Sequence, residues 1–254
     1  MDGLMNGVVR WIHVVAGIMW IGHLWFFNFV NGPFQGKIDA ATKKQVNPEL
    51  MPRALYWFRW GAAWTWITGV LLALYVFYHG AEAFQGAIRD FSGGAILMIL
   101  VTFLAFAVYD PLSNAVKDNY VMAGIGFVLT AIVIFGFIHL AHFSYRGFQI
   151  HTGAMFGTAM AANVWMRIWP AQQKIIAATK QGTPADAALV ARAGLRSRHN
   201  TYMSVPLVWT MINSHTTYFS RDPNASALIL LVVIAVGWGA VYWLYGKAAQ
   251  VQGF

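Results

Sequence analysis

Residues 119–142 read NYVMAGIGFVLTAIVIFGFIHLAH and contain no Asp, Glu, Lys or Arg. Wound as an α-helix, a stretch of this length reaches about 36 Å. That exceeds the hydrocarbon thickness of a bilayer, about 30 Å. The rest of the 254-residue chain agrees: 58% of residues are hydrophobic, 10% are charged, and the mean hydropathy is +0.53. A soluble domain carries about 25% charged residues, so this chain cannot clothe a globular surface. The fold class it implies is all-α, a polytopic transmembrane helix bundle. There is no cysteine, which excludes disulfides, iron–sulfur clusters, thiolate metal sites and covalently attached c-type haem. The net charge of +8 fits basic loops beside a membrane better than nucleic-acid binding. The expected non-protein contact is membrane lipid.

Seven segments are long and apolar enough to span: 8–30, 55–78, 92–109, 119–142, 151–169, 201–218 and 225–246. They make up one membrane domain over 1–254. NGPF and NPELMP bracket the first long loop, YDP ends the third span, and SYRG and RDPN mark later breaks. MDGLMNGVVR runs into the first apolar helix with no small-residue cleavage site after it, so that helix reads as a retained span. The stretch 170–200, with its Gly-Thr-Pro break, reads as a cytoplasmic loop of two short helices. Lys and Arg set the orientation: thirteen lie on one side and four (Arg10, Arg89, Arg146, Arg221) on the other. The expected topology has the N-terminus outside and the C-terminus cytoplasmic.

The eight histidines are the informative polar residues, because ionisable groups within a bilayer are costly and usually functional. By this topology His13, His79, His139, His142, His151 and His215 collect on the outer half. His23 and His199 lie deeper or inside. His139 and His142, three residues apart, would share a helix face. His13 and His23, ten apart, would be separated by about 15 Å along the axis, so they would serve two centres and not one metal.

Imidazoles on opposing helices are the usual axial ligands of haem b in a bundle. His13, His151 and His215 are the leading iron-ligand candidates, followed by His142, His139, His199 and His23, for one or two haems. Aromatics make up 16% of the chain. Gly153 and Gly157 would let a flat ring approach or simply pack two helices. Arg10, Arg59 and Arg146 would meet propionates or snorkel to the interface. A His-only copper or zinc site, with Met19, Met155 or Met211 as soft partners, is the competing reading. No carboxylate sits in the middle of a predicted span, which disfavours proton-coupled transport. No nucleotide-binding, HExxH or GxSxG motif occurs.

Three blocks carry a resemblance: RWIHVVAGIMWIG at 10–22, WFRWGAAWTWITG at 57–69, and HTGAMFGTAMAANVWMRIWPAQQKIIAA at 151–178 with RSRHNTYMSVPLVWTMINSH at 196–215. The chain resembles the N-terminal membrane domain of the bacterial membrane-bound urate oxidase (urate hydroxylase) family. The resemblance implies an oxidoreductase of the bacterial inner membrane that passes electrons to a c-type cytochrome. In fused members an extra span carries a cytochrome c domain outside. This chain has no CxxCH, so the cytochrome, or another respiratory subunit, is expected as a separate protein. The histidines that match the family are His13, His151, His199 and His215, whereas His23, His139 and His142 look particular to this chain. An acidic residue of the family pattern stands where Gly61 stands here. Two functional classes follow: a urate oxidase-like enzyme, or a non-catalytic haem or structural subunit of a respiratory assembly. A copper-handling membrane protein is the third.

Overall fold

The computed structural model describes residues 3–215 and 222–251. Among them run seven long helices: α1, Gly3–Lys37; α2, Ala40–His79; α3, Gly93–Ala115; α4, Asn119–His139; α5, 145–181; α6, Ala187–Asn213; and α7, Pro223–Gln250. Among the described residues strand pairing is confined to an isolated bridge, Phe84 with Phe143. Each predicted span falls on its own helix. Residues 216–218 of the sixth, Arg221 and Phe254 lie outside the described residues. Helices α1 to α4 and α7 are long and apolar enough to cross a membrane, and the chain is a multi-pass helical membrane protein.

Several breaks read from prolines are helical instead. The first long loop does not exist as such. Helix α1 continues through NGPF to Lys37, Ile38 and Asp39 make the turn, and α2 begins at Ala40 with Pro48 and Pro52 inside it. A proline inside a helix forfeits a backbone hydrogen bond, at about 3 kcal/mol, yet α2 runs on through both. Gln35 and Asn47 form a reciprocal amide pair between the two helices at 2.8 and 2.9 Å, and Arg53 reaches Glu49 at 2.7 Å. Asp39 accepts from the Thr42 N–H at 2.7 Å, which caps α2 and holds the carboxyl below its usual range. Likewise α3 passes through Pro111 to Ala115. The Gly-Thr-Pro break is real: α5 ends at Gln181, and Gly182 follows at φ 74°, a left-handed cap that glycine adopts without strain. Its flanks are not two short helices, however, but the ends of α5 and α6. Finally, α4 ends at His139, and His142 lies beyond it at φ 51°. His139 and His142 therefore share no helix face.

Helices α5 and α6 are the polar ones, and their polarity is turned inward. Gln149, His151, Thr152 and Asn163 of α5 are buried, as are Arg196, Asn200, Thr201, Ser204 and Thr210 of α6. Large apolar side chains such as Ile18, Leu104, Ile132 and Val236 are exposed on the other helices, as a lipid-facing surface requires.

The chain divides into two compact units. Among the described residues, unit one comprises 69–159, 205–215 and 222–237; unit two comprises 3–68, 160–204 and 238–251. In unit one, α5 is laid tightly against the 80–92 segment. Ser144 caps α5 by accepting from the Gly147 N–H at 3.0 Å, and its own N–H donates to the Ala83 carbonyl at 2.8 Å. A Cβ on Gly147 would run into that same carbonyl. Gly153 and Gly157 do what the helix-packing reading expects, because Cβ atoms there would meet Thr210 and Leu207 of α6. In unit two, Gly61 of α2 lies against the α1 backbone, where a Cβ would stand 3.1 Å from the Trp20 nitrogen. Gly147→Ala is expected to cost about 1–3 kcal/mol through overpacking, read as a lowered thermal midpoint of the detergent-solubilised protein.

Candidate functional site

Five of the six histidines assigned to the outer half, His79, His139, His142, His151 and His215, lie in unit one; His13, His23 and His199 lie in unit two. Their environments differ sharply.

His151 sits on the first turns of α5 and is 2% exposed. Its Nδ1–H donates to the Gly147 carbonyl at 2.7 Å, and its Nε2 accepts from the Tyr78 hydroxyl at 3.0 Å. Phe143 stacks on the ring at 4.2 Å between centroids, with Phe137 at 5.5 Å and Tyr78 at 5.6 Å. Both nitrogens are thus engaged and the ring is walled by aromatics. As packed, His151 serves as the polar pin of an aromatic cluster, and iron ligation there would require the Tyr78 hydroxyl to leave.

Around this cluster Arg146 makes a charged web. Its guanidinium pairs with Glu82 at 2.7 Å, donates to the Ser214 carbonyl at 2.7 Å, and faces His215 Nδ1 at 3.4 Å. His215 is exposed. His139, also exposed, donates from Nε2 to Asn224 Oδ1 at 2.7 Å. His142 is exposed on its turn. Arg146 is therefore engaged within the protein, and so is Arg10, which donates to Asn6 Oδ1 at 2.9 Å.

His13 in unit two is prepared differently. Thr68 gives its single hydroxyl proton to the Trp64 carbonyl at 2.6 Å. Its oxygen can then only accept from the imidazole, whose Nδ1 stands 3.1 Å away. This fixes the Nδ1–H tautomer and presents the Nε2 lone pair. A histidine ligand oriented through its other ring nitrogen is the usual second-sphere arrangement at a metal. His23 has the same tautomer, its Nδ1–H donating to the Met19 carbonyl at 2.8 Å. His199 lies two residues before the predicted sixth span. Burial, with Arg196 and Arg198 beside it, holds it well below the usual imidazole range. Among the described residues, no group of three or more His, Cys, Asp or Glu is placed to hold a metal ion. His13 would offer one imidazole to a haem iron.

Histidine counting missed the polar track through unit two. Asn163 donates to Asn200 at 2.8 Å, and Asn200 donates to the Met160 carbonyl at 3.0 Å. Tyr245 donates to Asn28, which donates to Ser197 at 2.9 Å, and Trp25 reaches Ser204 at 2.9 Å. The signal available in the sequence was the run RSRHNTYMS at 196–204, too polar for an outward-facing span.

Two substitutions check this geometry. Tyr78→Phe strands a buried imidazole nitrogen and is expected to cost about 1–3 kcal/mol, seen as a lower unfolding midpoint. Gly61→Glu is expected to lower that midpoint as well, because the new side chain has to part α1 from α2.

The comparisons with known proteins agree with the sequence resemblance. Residues 34–252 match the family described as Urate oxidase N-terminal. That range takes in His139, His142, His151, His199 and His215, and it begins after His13 and His23. No curated protein and no solved structure matches the chain. With most of its length matched, the chain belongs to the urate oxidase N-terminal family.

Proposed function

We propose that this chain is a membrane redox domain that carries haem b and moves electrons from urate, or a chemically related small reductant, to a c-type cytochrome. Its place would be the bacterial inner membrane, with the basic loops and the C-terminus cytoplasmic. The observation that carries the reading is membership of the urate oxidase N-terminal family. Hydroxylation of urate by water releases two electrons and two protons, so two one-electron transfers to a cytochrome would balance one turnover.

The residues of unit two support the cofactor assignment. His13 offers a neutral imidazole whose orientation is set by Thr68 and, through it, by the Trp64 carbonyl. Haem bound there would supply one-electron exchange at a potential tuned by burial and by the hydrogen bond behind the ligand. The low-dielectric helices would exclude water, and Thr68 would hold the Nδ1 proton in place. His151, His215, His142, His139, His199 and His23 remain candidates for a second ligand or a second haem; His151 has both nitrogens engaged, and His139 has a partner at Nε2.

A second reading has its own support. Gly61, where the family pattern is acidic, is closed by the α1 backbone, which favours a non-catalytic haem subunit of a respiratory assembly. A reduced-minus-oxidised optical spectrum of the detergent-purified chain, with a pyridine haemochrome assay, tests the cofactor. A b-type band is expected in the wild type and in His139→Ala, and its loss in His13→Ala. A featureless spectrum from folded wild-type protein would sink the proposal. Reduction of the band by added urate separates the enzyme from the subunit.

A further inference from the structure

The outer surface of unit two carries an open groove of about 590 Å³ between α1 and α2. Trp11, Val15 and Met19 of α1 line it, facing Trp57, Trp60 and Trp64 of α2. These tryptophans are not tucked into the core: Trp11 is 68% exposed, and Trp57 and Trp64 are each 52% exposed. In a membrane protein such a groove faces hydrocarbon. Its α2 end, at Tyr56 and Trp57, is the end nearer Lys43, Lys44 and Arg53.

Beside that end lies a cation with an unusual setting. The Arg59 guanidinium stands 4.0 Å from the ring centroid of Trp169, 5.7 Å from Trp165 and 5.8 Å from Tyr56. Trp60, a groove residue, meets Trp165 edge-on at 5.6 Å. Tyr56 and Trp60 therefore form a wall shared by the groove and the arginine. Trp169 lies closest to the guanidinium, whose Nε is buried with no hydrogen-bond partner. Among the described residues no carboxylate pairs with Arg59.

Counted from the predicted start of the second span, Arg59 is four residues in, about 6 Å along the helix, which would set it near the headgroup layer. Aromatic rings favour that depth, and a guanidinium stacked between rings keeps its in-plane N–H groups free for a phosphate fork. The same end of unit two carries Lys37, Lys43, Lys44, Lys174 and Lys180 against few acids. A headgroup bearing its own ammonium would be repelled there.

We propose that Arg59 and the α1–α2 tryptophan groove form a binding site for an anionic phospholipid, with the phosphate on Arg59 and an acyl chain along Trp57, Trp60 and Trp64. The site is independent of the redox reading. The test uses the delipidated full chain in mild detergent and titrates phosphatidylglycerol, phosphatidylcholine or inorganic phosphate, read by native mass spectrometry and by the thermal midpoint. The expected result is retention and a stabilising shift with phosphatidylglycerol, with far less from phosphatidylcholine and none from inorganic phosphate. Arg59→Gln should weaken phosphatidylglycerol binding at least tenfold, and Arg59→Lys, which keeps the charge but loses the fork, should weaken it less. Trp64→Ala should weaken both lipids together. Equal binding of the two lipids, equal binding by Arg59→Gln with its helical content intact, or equal stabilisation by inorganic phosphate would overturn the proposal. Should Arg59→Gln fail to fold, the Arg59→Lys series and the lipid selectivity of the wild type still decide it.

Discussion

The fold depends on one constraint: within hydrocarbon, a buried polar side chain without a partner inside the protein is costly. Helices α5 and α6 bring the largest load of such groups, and the bundle is arranged so that they bond to one another and to backbone carbonyls. Asn163 and Asn200 join the two helices through an amide pair at 2.8 Å, while Asn200 turns its other group to the Met160 carbonyl. In unit one, Gly153 removes the side chain that would separate α5 from Thr210. The more apolar helices can then present plain hydrocarbon outward, because the polar work is done within.

The same constraint sorts the histidines. His151 and His13 each hold a proton at Nδ1, and each has that proton fixed by a neighbour. What differs is the second nitrogen. At His151 the Tyr78 hydroxyl meets Nε2 and Phe143 covers the ring, which satisfies a buried imidazole completely and commits it to structure. At His13 the threonine spends its proton elsewhere, and the imidazole keeps a lone pair. Arg146 repeats the pattern of His151 on the charged scale: Glu82 and a backbone carbonyl already answer it. A polar residue that the protein has satisfied is a poor site, and one that it has only oriented is a better one.

This explains what could be read from the sequence and what could not. Apolar runs such as 119–142 declare their helices because burial in lipid depends on composition alone. The family blocks around His151 and His199 were legible for the same reason that motifs usually are: they are local. Pro48, Pro52 and Pro111 misled, because proline signals a lost hydrogen bond but not whether the helix runs on through it. His139 and His142 looked like a pair because spacing was read through an assumed helix, which in fact ends between them. The Tyr78–His151 contact joins residues 73 positions apart, and no local pattern encodes it.

Gly61 shows how far one such long-range contact can reach. It sets α2 against the backbone of Ala16 and Trp20, and this fixes the register of two antiparallel helices. Seven residues are close to two turns, about 10 Å along the axis. Stepping seven forward from Gly61 along α2 reaches Thr68, and stepping seven back from Trp20 along α1 reaches His13. The hydrogen bond that orients His13 is thus the next rung of the crossing made at Gly61. An acidic side chain at that position could not share the register, since it would part the helices where they are closest and draw Thr68 away from the imidazole. The glycine at position 61 and the orientation of His13 are consequences of one contact. The orientation of His13 therefore belongs to the close-packed form of the α1–α2 crossing.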